Sequence, residues 1–383
     1  MADDDSTELS RRKLIAGTGA AAGTLLAGCT SGGSGTDGSD GGTTTGDGTT
    51  KSSGPYSVSI EPMGSVEFES VPKTWVANNG SWADMGVALG LEPPKGMWMT
   101  SRYYTQYYDE IPGVSVDKSG MVSLYQDGVS KERFYALDGD VHVIDPNFLK
   151  NRFKGWKQSD VDEIRKNLGP FFGNSIFSRG YEWHKDYRYY TLYQAFGKLA
   201  KVFQRTDRYD AFSSLHDTFQ SKLDSVVPPK EKRPSVAVLW ASSNEPETFL
   251  PYLIGEGTSF KQWRDLKVED ALANTSVKDF HSGRGKIDYE TLLQVDPDVL
   301  LLRGHEQKTE EKFQNTVVSS MKNHNVGSKL TAVKNGDVYR GGPLYQGPIT
   351  NLVLTERAAK QLYDASGKLF DRKRVANIVN GEF

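Results

Sequence analysis

The sequence predicts an α/β protein made of two halves with mainly parallel sheets, joined by helices. Strand-like and helix-like stretches alternate in both halves, which is typical of parallel sheets covered by helices. Residues 235–241 are almost continuously apolar, as expected of a strand buried on both faces. Between the halves, two series of apolar residues recur at intervals of three and four, which is the spacing of one helix face.

The first half begins with a predicted strand over 71–77, followed by a loop and a predicted helix over 82–89. Ser81 is the expected N-cap of that helix, because a serine hydroxyl can accept a hydrogen bond from the first turn. A second helix, predicted over 130–137, leads into a strand over 140–145. These elements form the first α/β unit.

The middle and the second half complete the pattern. The apolar faces of the two middle helices consist of Leu192, Phe196, Leu199 and Phe203, and of Phe212, Leu215, Phe219 and Leu223. Strands are then predicted over 235–241, 298–303 and 337–340, and helices over 289–294 and 350–364. Because ligands of parallel sheets gather where strands end, the loops after these strands are the places to look for a site.

The N-terminus predicts an export signal followed by a lipid anchor. Arg11 and Arg12 precede a short apolar stretch, an order that resembles a twin-arginine signal. The stretch ends in LAGC at 26–29, which is similar to a lipobox in which the Cys29 thiol takes a diacylglyceryl group. Cys29 is the only cysteine, so a disulfide within the chain and a multi-cysteine metal site are both excluded.

Composition separates a tether from a folded body. Of the 24 residues from 30 to 53, 20 are Gly, Ser or Thr, which predicts a flexible tether. The net charge is −3, but residues 54–383 hold 42 basic and 42 acidic residues, which argues against nucleic acid as a partner. The predicted organisation is a signal peptide with lipobox at 1–29, the tether at 30–54, an N-terminal lobe at 55–185, interlobe helices at 186–228 and a C-terminal lobe at 229–383.

Catalytic and nucleotide-binding motifs are absent from the sequence. It contains no H-E-x-x-H, no G-x-x-x-x-G-K-[ST] and no G-x-S-x-G. No two of the six histidines lie three or four positions apart, so local spacing indicates no metal site. We therefore predict a protein that is not an enzyme and needs no cofactor.

Aromatic residues cluster in two places. The first cluster is Trp98, Tyr103, Tyr104, Tyr107 and Tyr108; the second is Tyr181, Trp183, Tyr187, Tyr189 and Tyr190. Aromatic side chains offer large, stiff contact areas to a bulky ligand, and tyrosine adds a hydroxyl. Packing between the lobes remains the alternative role for both clusters.

Three segments resemble one family, the extracytoplasmic binding proteins for ferric siderophores and cobalamin that serve ABC importers. They are residues 68–93, the IDYETLL…DPDVLLL stretch over 287–302, and AVKNGDVY over 332–339. The resemblance spans 54–383 and implies two lobes, a long helical connector and a ligand cleft between the lobes. It also implies one permease-docking glutamate on each lobe, Glu290 in the second and Glu132 in the first.

The loops after the strands and the first aromatic cluster supply the predicted ligand contacts. These residues are Asn78, Asn79, Trp82, Tyr103, Tyr104, Ser242, Ser243, Asn244, Arg303, His305 and Tyr345. Arg303 closes an apolar strand, where a guanidinium can pair with an oxygen of a ferric chelate.

The resemblance implies a monomeric lipoprotein on the outer face of the cell membrane. It would capture an iron(III)–siderophore-like chelate and deliver it to an ABC permease and its ATPase. Cobalamin and haem are the alternative ligands within the family. An anchored metal-dependent enzyme and a structural surface protein are the alternatives outside it. The sequons at Asn79 and Asn274 leave glycosylation open, although a glycan at Asn79 would obstruct the predicted cleft.

Overall fold

The computed structural model describes residues 54–279, 283 and 285–383. The predicted signal peptide, Cys29 and all but the last residue of the predicted tether lie outside the described residues. Within the described residues, none of the helices combines the length and the apolar character needed to cross a bilayer.

The first sheet contains four parallel strands in the order β5-β4-β3-β6, preceded by the antiparallel hairpin β1–β2. Their bounds are β1 Tyr56–Ile60, β2 Gly64–Phe68, β3 Trp75–Ala77, β4 Gly96–Met97, β5 Val122–Ser123 and β6 Val141–Val143. Strand β3 is shorter than predicted because the N–H groups of Lys73 and Thr74 donate to the Asp140 carboxylate, each at 2.8 Å, instead of to a neighbouring strand.

The second sheet is also mainly parallel. Its order is β11-β10-β7-β8, with β9 paired to β7, and only β8 runs antiparallel to its neighbour. The bounds are β7 Ser235–Trp240, β8 Leu250–Tyr252, β9 Glu269–Asp270, β10 Val299–Arg303 and β11 Val338–Arg340. The predicted α/β class with parallel sheets in two lobes is confirmed.

Helices cover both sheets and connect them. They are α1 Gly80–Ala88, α2 Lys131–Leu137, α3 Pro146–Arg152, α4 Gln158–Asn167, α5 Leu192–Val202, α6 Thr206–Val226, α7 Lys261–Asp265, α8 Tyr289–Val295, α9 Glu310–Phe313, α10 Ser319–Asn323, α11 Thr331–Asn335, α12 Pro348–Tyr363 and α13 Arg372–Asn380. A π-helical turn, Gln314–Val318, joins α9 to α10. Short 3₁₀ turns lie at Thr100–Arg102, Tyr108–Glu110, Lys230–Lys232, Thr258–Phe260 and Gly327–Lys329. Several elements have no counterpart among the predicted ones: the hairpin β1–β2, strands β4, β5, β8 and β9, and helices α3, α4, α7, α9, α10, α11 and α13.

The N-cap of α1 differs from the prediction. Asn79, not Ser81, has the extended backbone of a cap, and its side-chain oxygen accepts the Ser81 N–H at 2.9 Å. The Ser81 hydroxyl is used elsewhere, because it accepts the backbone N–H of Gln346 from the other lobe at 3.1 Å. The predicted cap at Ser81 is therefore wrong by two positions, and α1 begins at Gly80.

One apolar core runs through both lobes and the helices between them. It includes Trp75 from the first sheet, Val238 from the second, Phe196 of α5, Phe219 of α6 and Leu352 of α12. All eight residues predicted to form the apolar faces of the middle helices are buried. The connector is thus packed into the body along its length.

A buried carboxylate of the first lobe forms hydrogen bonds with the second lobe. Asp84 of α1 accepts the backbone N–H groups of Ile349 at 2.9 Å and Thr350 at 3.2 Å, both in the first turn of α12. It also accepts the Tyr108 hydroxyl at 2.6 Å. The carboxylate caps α12 from outside, since the N-cap of that helix is Gly347, which has no side chain. A Cβ at position 347 would lie 2.4 Å from Asp84 Oδ2, so glycine is required there.

The raised pKa of this carboxyl group should make the folding stability depend on pH. Burial raises the pKa of Asp84 from 3.8 to about 6, although its hydrogen bonds oppose the shift. The folded state therefore holds this proton more tightly than the unfolded state. Its stabilising contribution is complete below about pH 4 and declines as the pH rises through 6. Relative to an Asp84→Asn variant, the natural protein should lose about 2 kcal/mol of unfolding free energy between pH 4 and pH 7.

Denaturant titrations of both proteins across this pH range measure the difference. The asparagine variant supplies the reference because it cannot ionise, so carboxylates elsewhere cancel in the comparison. Parallel pH profiles for the two proteins would show that Asp84 is not protonated in this range.

Candidate ligand-binding cleft

A cavity lies between the two lobes where several strands end. Trp240 and Arg303 are the last residues of β7 and β10, and Trp98 directly follows β4. The cavity has a volume of about 200 Å³ and opens to solvent. Its position between the lobes, at the ends of several strands, suits a small-molecule ligand.

Three arginines line the cavity, and among the described residues no aspartate or glutamate lines it with them. Arg102 and Arg152 come from the first lobe and Arg303 from the second. None of the three forms an ion pair with an acidic side chain in the part of the chain that the structure describes. The cavity is therefore cationic and lacks a counter-charge from its own walls.

Arg303 is buried and forms no salt bridge with a described acidic side chain, although Glu306 and Asp279 act on its charge from farther away. Its Nη2 donates to the Ser259 carbonyl and its Nε donates to the Gly341 carbonyl at 3.4 Å, whereas Nη1 has no hydrogen-bond partner. Its guanidinium carbon lies 4.6 Å from the ring centre of Phe260 and 5.5 Å from that of Tyr252. Burial lowers the pKa of Arg303 to about 10, which leaves the side chain charged at neutral pH. A buried cation of this kind favours an anion beside it.

The other two arginines extend this charge towards the first lobe. The Arg102 guanidinium carbon lies 5.5 Å from the centre of the Trp240 ring of the opposite lobe. Burial raises the pKa of Tyr345, and Arg102 acts against that rise. Arg152 is exposed at the end of α3. The three guanidinium groups thus range from the floor of the cleft to its rim.

Aromatic side chains form the rest of the wall. They are Trp98, Phe177, Tyr181, Trp240, Tyr252, Phe260 and Tyr345. Edge-to-face contacts hold several of them, with Trp98 4.7 Å from Phe148 and Phe177 5.3 Å from Tyr345. Half of the residues that line the cavity are aromatic, so the wall is stiff and presents large apolar faces to a ligand.

Two predicted ligand residues lie at the cavity, Arg303 and Tyr345. Tyr104 lies at an adjoining crevice, which it shares with Arg102, Trp240 and Glu306. Arg303 ends β10 and Tyr345 lies in the loop after β11, so the rule that ligands lie beyond strand ends led to two residues of the cavity wall.

Four predicted residues are buried in the packing between the lobes and do not line the cavity. Asn78 and Asn79 are occupied with each other, since Asn79 Nδ2 donates to Asn78 Oδ1 at 2.6 Å. Trp82 lies wholly within the shared core, and the Tyr103 hydroxyl bonds that of Tyr108 at 2.7 Å. Strand β3 leads into α1, and α1 packs on α12, so the loop after β3 faces the seam between the lobes and not the cleft. A glycan has no room on the buried Asn79 amide.

Four more predicted residues lie beside the cavity without lining it. Ser242, Ser243 and Asn244 are exposed beyond β7, and the Ser243 hydroxyl bonds the Glu245 carbonyl at 3.0 Å. His305 is buried against Phe313 with its Nδ1 3.0 Å from Lys308 Nζ, and burial lowers its pKa to about 4.

Three residues that line the cavity are not among the predicted ligand contacts: Arg102, Arg152 and Trp240. Arg102 stands inside the first aromatic cluster, and Trp240 lies one residue before the end of the strand predicted over 235–241, so the sequence contained a signal for both. Arg152 had none, because it ends a short helix within a stretch that lacks a repeating pattern. Tyr181 was noted as part of an aromatic cluster but not chosen, and it lines the cavity.

Glu132 and Glu290 occupy equivalent places in the two lobes. Each is exposed in the first turn of a seven-residue helix, α2 or α8, that ends in a left-handed aspartate and leads into a strand, β6 or β10. The aspartates are Asp138 and Asp296. The described residues include no group of three or more His, Cys, Asp or Glu side chains able to hold a metal ion.

Two α/β lobes, packed helices between them and a cavity at the strand ends define the class of two-lobed solute-binding proteins. The match of a family model described as "Periplasmic binding protein" to residues 102–344 shows that the chain belongs to this family. The family is one of binding proteins that work outside the cytoplasm, and not of enzymes.

Several solved structures have a similar fold. A periplasmic binding protein from Veillonella parvula is 15% identical, with a TM-score of 0.56 over 82% of this chain and 99% of that one. The iron uptake ABC transporter substrate-binding protein PiuA from Streptococcus pneumoniae is 16% identical, with a TM-score of 0.55 over 80% and 98%. The triscatecholate siderophore binding protein FeuA from Bacillus subtilis, solved with ferri-bacillibactin, is 14% identical, with a TM-score of 0.53 over 78% and 96%. No curated protein sequence matches the chain.

Proposed function

We propose that this protein is the membrane-anchored receptor of an ABC importer and that it captures an anionic iron(III) chelate of the siderophore type. The observation that carries the proposal is the cavity itself, where three arginines without acidic partners in the described chain stand among seven aromatic side chains. Capture and release between lobes need no covalent chemistry, which agrees with the absence of catalytic motifs from the sequence.

The chemistry of ferric chelates suits these walls. Siderophores bind iron through hard oxygen donors, and catecholate or carboxylate donors leave the complex with net negative charge. Guanidinium groups can donate to such oxygens at the surface of the complex without displacing the iron. Aromatic faces can pack on the organic arms of the chelator. Cobalamin would use the aromatic wall but has a single phosphodiester to set against three positive charges, so a more highly charged anionic chelate fits better.

Similar folds give the proposal its second support. PiuA is described as an iron uptake protein, and FeuA as a triscatecholate siderophore binding protein. The protein BauB, 18% identical with a TM-score of 0.56, was solved with ferric iron and two molecules of acinetobactin. Iron chelates are thus ligands of this fold, and the arginines of the cavity make them the preferred class for this chain.

Delivery requires a permease and retention at the membrane. Glu132 and Glu290, one exposed on each lobe, are proposed to meet arginines of the permease, whose ATPase drives import. Cys29 is proposed to carry the lipid that holds the protein at the outer face of the cell membrane, with residues 30–54 as its tether. A monomer suffices for this arrangement, since one molecule supplies both lobes of the cleft.

Tryptophan fluorescence offers a direct test, because Trp98 and Trp240 line the cavity and a bound ferric complex quenches their emission. The soluble 54–383 body would be titrated with ferri-bacillibactin, ferric Desferal, cyanocobalamin and haemin, with iron-free bacillibactin as the control. We expect ferri-bacillibactin to bind at least about tenfold more tightly than ferric Desferal, which lacks its negative charge. Tighter binding of cobalamin or haemin would replace the proposed ligand class, and quenching by none of the four would reject the proposed function.

A further inference from the structure

One segment of the first lobe crosses to the second beside the cavity. We call residues 174–181 the strap. Its first residues are held to the first lobe, where Asn174 Nδ2 donates to the Glu61 carbonyl at 2.7 Å and the Ser175 N–H donates to the Tyr187 hydroxyl at 2.8 Å. The Tyr187 hydroxyl donates in turn to Asp145 at 2.6 Å. Farther along, Phe177, Ser178 and Tyr181 line the cavity. The strap is thus fixed at one end and forms a wall of the cleft at the other.

The strap docks on the second lobe through its backbone. The Thr258 N–H donates to the Ile176 carbonyl at 2.9 Å, and the Ser259 N–H donates to the Phe177 carbonyl at 3.4 Å. Gly257 permits this approach, because a Cβ there would lie 2.3 Å from the Phe177 carbonyl oxygen and 2.8 Å from its carbon. The backbone of Gly257 has φ −67° and ψ 160°, which any residue adopts, so the absence of a side chain is the only reason for glycine.

Ser259 connects this docking site to the buried arginine. Its N–H donates to the strap, its carbonyl accepts Arg303 Nη2, and its hydroxyl donates to the Leu344 carbonyl in the loop that carries Tyr345. All three groups of one buried residue are therefore used on three different parts of the cleft wall. If the strap leaves, Ser259 loses the hydrogen bond on the N–H side of its Cα. The adjoining peptide unit, whose carbonyl accepts Arg303 Nη2, then loses one of its restraints.

We propose that Ser259 is the positioning residue of the cleft, which places Arg303 for the ligand only while the strap is docked at Gly257–Phe260. The strap closes one side of the cavity, so a ligand enters or leaves that side when the two backbone bonds open. The consequence for ligand release rests on the proposed function, whereas the coupling of the strap to Arg303 is a property of the protein alone.

Gly257→Ala tests the docking, with Gly255→Ala as its matched control. A Cβ at position 255 would have its nearest neighbour, the Leu253 carbonyl, at 4.0 Å, so the control adds the same methyl group to the same loop without a clash. Loss of two backbone hydrogen bonds should raise the release rate of ferri-bacillibactin about tenfold in Gly257→Ala. Gly255→Ala should change the rate by less than about twofold. Equal rates for both variants would overturn the role of the strap.

A double-mutant cycle tests the coupling. Arg303→Gln should cost much less affinity in the Gly257→Ala background than in the natural protein, because Arg303 is already displaced there. Additive losses would show that strap and arginine act independently, which would overturn the role of Ser259.

Two measurements on the ligand-free protein test the docking of the strap independently of the proposed function. Amide hydrogen exchange at Thr258 and Ser259 should be slow in the natural protein and in Gly255→Ala, and fast in Gly257→Ala. The NMR signal of the Arg303 Nε–H should shift in Gly257→Ala only. Fast exchange of these amides in the natural protein would overturn the docking even if Gly257→Ala cannot be purified. A protein that binds none of the tested chelates would reject the function and leave both of these readouts intact.

Discussion

Replacing Arg303 by glutamine is expected to weaken binding of ferri-bacillibactin by about 10- to 100-fold, the range of one charge-assisted hydrogen bond in a desolvated site. The reason is that Nη1 has no hydrogen-bond partner and the guanidinium has no acidic partner within the described residues. The ligand would supply both. Because glutamine keeps a donor but removes the charge, the loss should be greater for anionic chelates than for neutral ones. Fluorescence titration of the variant measures it directly.

The same substitution, Arg303→Gln, should lower the affinity for the ligand without lowering the folding stability. A buried cation without a counter-ion costs free energy, so Arg303→Gln should leave the unfolding free energy unchanged or raised. Arg340→Gln is the matched control, since Arg340 lies on the adjacent strand β11 but pairs with Glu310 at 3.3 Å outside the cavity. We expect the control to bind the chelate normally. Equal losses of affinity in the two variants would mean that general positive charge, and not the position of Arg303, attracts the ligand.

The double variant Glu132→Ala and Glu290→Ala is expected to lose most of its transport while it binds ligand normally. Exposed charge pairs contribute about 0–1 kcal/mol each, but they steer encounter and fix the orientation of a complex. With one carboxylate on each lobe, the pair would set the cleft over the permease opening. Uptake of the radiolabelled ferric chelate by cells and titration of the isolated protein are the two measurements needed.

Two controls make the uptake result specific. Glu67→Ala with Glu311→Ala removes two exposed carboxylates, one from each half, and should leave uptake intact. Cys29→Ser should lose uptake by a different route, because the protein would leave the membrane fraction while the glutamate variant stays in it. Full uptake by the Glu132 and Glu290 variant, or a matching loss of ligand binding, would reject the docking role.

The sequence predicted the parallel sheets and the helices between them because burial leaves a regular pattern. The apolar run over 235–241 indicates a strand buried on both faces, and the spaced apolar residues of α5 and α6 indicate which face of each helix is buried. The strand-end rule also identified Arg303 and Tyr345. The same rule was misleading at Asn78 and Trp82, because it cannot say whether the loop after a strand faces the cleft or the partner lobe. That depends on the packing of α1 against α12, a contact between residues more than 250 positions apart.

The remaining site residues could not be found from periodicity. Arg102, Arg152, Phe177 and Tyr181 stand in short turns and irregular segments, or at the end of a short helix. Their positions depend on single hydrogen bonds and close approaches, such as that of Gly257 to the strap. Such contacts leave no repeating signal in a sequence.

The continuous core has a consequence for how such a receptor can change over evolutionary time. Trp75, Phe196, Phe219, Val238 and Leu352 bury one another across what appear in chain order as separate units. A lobe taken from a homologue would have to carry α5, α6 and α12 surfaces that pack against the remaining lobe. Otherwise apolar side chains of both lobes would be exposed to water. New ligand specificity is therefore more readily gained by substitutions on the cleft wall than by recombination of whole lobes.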